Sequence, residues 1–101
     1  MTDSLRMLLT GCASGIGRHL TGALSARGHR LVATDLDDGA LATQARERGW
    51  SHERVKLHAL DVRREEHWET ALDLAFDAFG GVDVLLNIAG YLHPAYVQDF
   101  T

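Results

Sequence analysis

The chain has a single cysteine, Cys12, a single proline, Pro94, and a single lysine, Lys56. One cysteine cannot close an internal disulfide, and this usage fits a reducing compartment, so a cytoplasmic location is expected. There is no proline-rich linker, no repeat and no low-complexity tract. The 101 residues therefore read as one domain spanning residues 1–101. No apolar run approaches the roughly 18 residues that a membrane span requires. Met1 to Arg6 carries no long apolar stretch behind a basic end, so no secretory signal is expected. Positive charge is scarce as well: 10 Lys and Arg stand against 14 Asp and Glu, for a net charge of −4. That balance argues against nucleic acid or an anionic membrane as a partner. What is present in ordinary measure is apolar residues, 46% of the chain, which places it among globular proteins with a core of their own.

Two hydrophobic periods alternate along the chain. Leu5 to Thr10 is a short apolar run, followed by a glycine-rich bend from Gly11 to Gly17. Ile16, Leu20, Ala23, Leu24 and Arg27 then step at helical spacing up to Gly28, a natural helix stop. Arg30 to Asp35 reads as a second strand. Asp37 or Asp38 can cap a helix over roughly Gly39 to Arg48 that Gly49 ends. Val55, Leu57 and Ala59 alternate with Lys56 and His58, as in a strand wet on one face. Trp68, Leu72, Ala75, Phe76 and Phe79 form a helical stripe read as core, and Val84 to Leu86 run into Asn87-Ile88-Ala89-Gly90. The reading is β-α-β-α-β-α-β, a parallel sheet with helices on both faces. In the doubly wound order 3-2-1-4 the alternating third strand is an edge. The fourth strand reads as continuous, as though buried on both faces, yet no strand-length apolar run follows Gly90, and Thr101 resembles an N-cap awaiting a helix. A partial, truncated Rossmann fold is expected.

The bend itself, Thr10-Gly11-Cys12-Ala13-Ser14-Gly15-Ile16-Gly17, leaves a strand and opens a helix inside a βαβ unit. Gly11 can make the tight turn. Gly15 removes a Cβ that would block a pyrophosphate, and Gly17 permits close approach of helix and strand. The free N–H groups at the helix start attract an anion. A P-loop lysine is missing after the last glycine, and the G-x-G-x-x-G of ordinary dehydrogenases is not matched. Thr-Gly-x-x-x-Gly-Ile-Gly instead resembles the compact branch of the short-chain dehydrogenase/reductase family, and the resemblance runs through essentially the whole chain. Asp35 closes strand 2, Asp61-Val62 closes strand 3, and Asn87-Ile88-Ala89-Gly90 is similar to the family's Asn-Asn-Ala-Gly, with Ile88 as the departure.

The resemblance implies a dinucleotide cradle built from Gly11, Ser14, Gly15, Ile16, Gly17, Asp35, Leu36, Asp61, Val62, Asn87, Ala89 and Gly90. Asp35 lies 18 positions after Gly17, near the spacing of a ribose-binding acid. Its carboxylate can accept from both ribose hydroxyls and repel a 2′-phosphate; two unit charges about 4 Å apart cost about 4 kcal/mol at an effective dielectric of about 20. Ser14 and Leu36 stand where NADP-preferring relatives carry a base, so NAD is favoured over NADP. The competing readings are structural: Asp35 as a loop acid, Asp61 as a strand-end cap rather than an adenine contact.

Catalysis in the family uses a serine and a Tyr-x-x-x-Lys pair. Neither Tyr91 nor Tyr96 has a lysine four positions on, so no catalytic residue is assigned and the family's active-site tyrosine is expected beyond Thr101. The resemblance implies an oxidoreductase passing a hydride between NAD(H) and a small alcohol or carbonyl substrate, with these residues supplying the cofactor portion. A homo-oligomer of the full-length protein stays open, because the family's interface helices lie outside this chain. Two alternatives remain: a non-catalytic NAD-binding or interaction module completed by a partner chain, and an S-adenosylmethionine methyltransferase, whose G-x-G-x-G loop is lacking. Cys12 reads as a small loop residue, the six histidines show no paired metal spacing, and Arg63-Arg64-Glu65-Glu66 reads as a solvent-facing helix start.

Overall fold

A computed structural model of the protein describes residues 4–88. Four strands and three helices alternate: β1 Arg6–Leu9, α1 Gly15–Ala26, β2 Arg30–Asp35, α2 Asp38–Arg48, β3 Val55–Ala59, α3 Glu65–Phe79 and β4 Val84–Leu86. The strands are parallel in the order β3-β2-β1-β4. The alternation and the strand order are those read from the sequence, and β2 has the same limits.

The pleat sorts the strand side chains onto two faces. Met7 and Leu9 of β1 and Leu31 and Ala33 of β2 join Leu41, Val55 and Trp50 in one core, against which Leu20 and Leu24 of α1 and Ala40 and Ala45 of α2 pack. Leu8 and Val32 point the other way, to Leu60 and to Ala71 and Ala75 of α3, with Trp68, Leu74 and Phe79 around them. Helices α1 and α2 therefore cover one face and α3 the other, which is why both central strands carry unbroken buried runs, Met7 to Leu9 and Leu31 to Thr34.

Local chemistry fixes the element ends. Asp37 is the N-cap of α2, its side chain accepting the Ala40 N–H at 3.0 Å, and Asp38 supplies an acid in the first turn. Gly49 stops the helix in the left-handed region at φ +66°, where a Cβ is penalised. Arg6 and Asp83 clamp the starts of β1 and β4: Asp83 accepts from the Arg6 backbone N–H at 2.8 Å and from the guanidinium at 3.0 and 2.8 Å. The Arg6 guanidinium holds the Asp83 carboxyl well below the usual carboxylate range.

Four expectations are corrected. In α1 the face turned to the sheet is Gly17, Thr21 and Ser25, while Ile16 is 59% exposed. In α3 it is Ala71 and Ala75 that are buried, and Phe76, read as core, is 60% exposed, with Leu72 also on the outside. Small residues face the sheet because they let the helix axis come close, and the larger ones flank the contact. β4 is not buried on both faces: Leu85, beside Leu8 in the ladder, is 53% exposed. On β3 only Val55 is buried, and Leu57 and Ala59, on the same face of this edge strand, are exposed. Ala89, Gly90, Pro94 and Thr101 lie outside the described residues.

Candidate functional site

The glycine loop sits at the C-terminal ends of the strands, as the doubly wound arrangement requires. It is stitched down by backbone bonds and by two side chains. Thr10 N–H donates to Leu86 O at 3.0 Å and Cys12 N–H to Thr34 O at 2.9 Å. The Thr10 hydroxyl donates to Asn87 Oδ1 and accepts the Ile88 N–H, both at 2.8 Å, which ties the loop to the end of β4. The Asp35 carboxylate takes the Ala13 N–H at 2.9 Å and the Asp37 N–H at 3.1 Å. Each carboxylate oxygen has two lone pairs, so one on each remains for a ligand.

Two glycines carry the geometry. A Cβ on Gly17 would overlap the Gly11 carbonyl, 2.6 Å from its carbon, so α1 can begin where it does only if residue 17 has no side chain. The nearest atoms belong to the backbone of the loop, Gly11 and Cys12, and not to the strand as expected. Gly15 is the opposite case: its φ is +57° and a Cβ there would meet nothing within 4 Å. Its bare face looks into open space above the first turn of α1. Ser14, the N-cap, makes no side-chain capping bond, and no acid lies in that first turn. The orphan N–H groups and the positive end of the helix dipole thus remain available to an anion.

A cleft of about 630 Å³ opens beside this loop, lined by Gly11, Ser14, Gly15, Ile16, Asp35, Leu36, Leu60, Asp61, Val62, Arg63 and Ile88. The volume is in the usual range for small-molecule sites, roughly 300–1,000 Å³. Ile16 and Leu36, two large apolar side chains at 59% and 69% exposure, lie on its walls. Of the residues singled out in the sequence, Gly11, Ser14, Gly15, Ile16, Asp35, Leu36, Asp61 and Val62 come together here. Gly17 and Asn87 act from behind the lining, and Ala89 and Gly90 fall outside the described residues.

The cleft also has members that pattern reading passed over, Leu60, Ile88 and Arg63. The Arg63 side chain, read as solvent-facing, is exposed, yet it turns back onto Asp61 in a bidentate pair with Nε–Oδ1 at 3.0 Å and Nη2–Oδ2 at 2.9 Å. Asp61 Oδ1 also accepts the Arg63 N–H at 3.0 Å. The Arg63 guanidinium lowers the Asp61 carboxyl to about 2. A base two positions after an acid, just past a strand end, is the signal that was available: an Asx turn brings such a pair together. Cys12 is fully buried, its thiol 3.5 Å from Leu9 O, and burial pushes it up to about 11. It lines no part of the cleft.

A parallel βαβ sheet with a glycine bend and an open helix N-terminus at its C-terminal edge defines a Rossmann-type nucleotide-binding fold. Within that class, the chain belongs to the short chain dehydrogenase family, which it matches over residues 6–101. It is 32% identical over 100 residues to D-beta-hydroxybutyrate dehydrogenase of Cupriavidus necator, covering 99% of this chain and 39% of that protein. It is 32% identical over 94 residues to galactitol 2-dehydrogenase of Agrobacterium fabrum, covering 93% of this chain and 36% of that protein. Among solved structures it resembles a short-chain dehydrogenase/reductase from Burkholderia phymatum in complex with NAD, at TM-score 0.74 and 31% identity, over 82% of this chain and 30% of that one. The chain thus spans about two fifths or less of the length of the relatives it matches. Among the described residues no helix is long and apolar enough to cross a membrane.

Proposed function

We propose that this chain forms the NAD-binding portion of an oxidoreductase that moves a hydride between NAD(H) and a small alcohol or carbonyl substrate. The observation that carries the reading is the pairing, in one cleft, of the bare Gly15 face over the α1 N-terminus with the Asp35 carboxylate at the end of β2. The first suits a pyrophosphate and the second the two hydroxyls of an adenosine ribose. Leu36 and Val62 offer apolar walls for an adenine ring. Asp61, with both oxygens engaged by Arg63, acts mainly as a strand-end cap, with one lone pair of Oδ2 left for the ring's amino group. When bound, NAD(H) supplies the hydride; these residues bind and orient its adenosine and pyrophosphate. The charge of Asp35 and the absence of a basic side chain at Ser14 and Leu36 favour NAD over NADP. The substrate oxygen and its proton are handled by residues outside this set, and the protein is expected to act in the cytoplasm.

Titrating the purified protein with NAD and with NADP tests the reading. Asp35→Ala is expected to weaken NAD and to shrink the NAD/NADP ratio by tenfold or more, because about 1.4 kcal/mol of charge repulsion is worth a factor of ten. Gly15→Ala is expected to weaken both cofactors and to cost about 1 kcal/mol of stability through its left-handed backbone. An unchanged ratio in Asp35→Ala means that Asp35 does not read the ribose. Binding by wild type with no carbonyl reduction in the full-length protein would favour the non-catalytic module instead.

A further inference from the structure

A second cavity, of about 440 Å³, lies between α1 and the turn joining α2 to β3, and shares no lining residue with the first. Its wall carries Arg18 and His19 from α1, Arg48 from the end of α2, and Arg54 from the turn; no acidic residue lines it. In a chain with more acids than bases, three guanidiniums gather here, and among the described residues none of the three is in an ion pair. Arg48 Nε donates to Gln44 Oε1 at 3.0 Å and Arg54 Nη1 to Ser25 O at 3.5 Å, which leaves most of their donors unused. Like charges lining one cavity repel, weakly where Arg48 and Arg54 stand exposed to water, and an anion among them would turn that repulsion into attraction.

A second observation points the same way. Trp50, also in the lining, is only 6% exposed, and its indole N–H is the one buried side-chain polar atom without a hydrogen-bond partner among the described residues. Buried donors are nearly always satisfied, and an orphan asks for a ligand, ion or water to explain it. A methyl on Gly22 would lie in ordinary contact with this nitrogen, at 3.5 Å, and would take up the space beside the indole edge. Gly22 in the interior of α1 is itself unfavourable for the helix, and leaving that space free accounts for it.

We propose that this cavity binds a phosphate-bearing small molecule, with Arg18, Arg48 and Arg54 as its charge partners and the Trp50 N–H as a donor at its base. Guanidinium forks match phosphate oxygens in pairs, and the volume exceeds what a bare ion fills. The site is separate from the cofactor cleft, and nothing in the proposed hydride transfer requires it.

The test follows the indole N–H resonances of the purified protein by two-dimensional NMR as inorganic phosphate is added, with acetate as the carboxylate control. The Trp50 signal is expected to shift saturably with phosphate and little with acetate, while Trp68, already bonded to Val62 O at 2.9 Å, stays in place. Arg48→Ala with Arg54→Ala, both exposed positions, is expected to weaken the response about tenfold or more at unchanged melting temperature. Gly22→Ala is expected to raise the melting temperature yet weaken the response, a combination that a purely structural role for the pocket does not produce. No saturable shift, an undiminished response in the double arginine variant, or equal effects of acetate and phosphate would each overturn the proposal. A response confined to the Gly15 amide would place phosphate in the cofactor cleft, sinking this proposal and leaving the NAD reading intact.

Discussion

β2 and β4 carry nearly the same apolar text, Leu31-Val32-Ala33 in one and Val84-Leu85-Leu86 in the other, and meet opposite fates. The first triplet is wholly buried between two layers of helices and two neighbouring strands. The second pairs with β1 alone among the described strands, and Leu85 is 53% exposed. The free energy of an apolar side chain is set by what covers it, at about 25 cal/mol per Å² removed from water, and a strand's own composition does not decide that. The inner strands and the outer ones should therefore respond very differently to the same kind of change.

The largest contrast is chemical. Cys12, in the glycine loop that follows β1, has no exposed surface and a thiol pushed up to about 11 by burial. At pH 8 its thiolate population is about two orders of magnitude below that of a free cysteine with pKa of about 8.5, before steric protection is counted. Labelling by a thiol reagent is expected to be slower in the folded protein by at least that factor and to appear only with unfolding. Prompt labelling in native buffer would show that the inner region opens readily.

Next in size is the truncation pair. Leu31→Ala is expected to cost about 3 kcal/mol, as for other fully buried leucines, and Leu85→Ala below about 1 kcal/mol. Phe76→Ser, on the exposed side of α3, belongs with Leu85 in the small class. Denaturant midpoints of the three variants measure this directly. Equal losses at Leu31 and Leu85 would mean that β4 is covered in solution, and would remove the contrast.

The smallest effect lies at the strand starts, where the exposed Arg6–Asp83 pair joins an inner strand to an outer one. Asp83 is depressed when folded, so its contribution is fully present above the ordinary carboxylate value of about 4 and is lost as pH falls below it. Water screens the pair, and the expected change is modest. Asp83→Asn should lower the neutral plateau of a melting-temperature-versus-pH curve modestly and flatten its acid limb below about pH 4, so that the two curves converge at low pH. An unchanged acid limb would show that the clamp adds nothing.

How far the fold could be read in advance follows from the same contrast. Element order, strand order, an aspartate cap on α2 (Asp37 or Asp38, of which Asp37 does it) and the position of the glycine loop were legible, because each rests on local periodicity or local hydrogen bonding. The facing of α1 and α3 was legible only in part: Leu20, Leu24, Trp68, Ala75 and Phe79 of the expected stripes pack on the cores, while Ile16, Leu72 and Phe76 are exposed. Counting large apolar residues at helical spacing selects Ile16 and Phe76, whereas close packing on a sheet selects the small residues beside them, Gly17-Thr21-Ser25 and Ala71-Ala75. Size complementarity between two surfaces is not written in either one alone. The cleft was legible where its chemistry comes from a motif, at Gly15 and Asp35. It was not legible at Arg63, whose placement depends on a turn, nor at Trp50, whose missing partner exists only once three separate segments have been brought together.

The bond from the Ala13 amide to Asp35 makes one carboxylate both a wall of the cleft and a strut of the loop above it. Anyone redesigning this protein to accept a different nucleotide will find that the obvious lever is also a structural member. Removing the side chain changes the electrostatics and slackens the loop in the same stroke, so the two consequences cannot be told apart in a single variant. Asparagine separates them in part: its amide oxygen still accepts from Ala13 while the charge is gone, and only the bond from the Asp37 N–H loses its acceptor. Cofactor preference and the stiffness of the glycine loop, joined at one residue in the native chain, thereby become separable, with the start of α2 bearing the remaining cost.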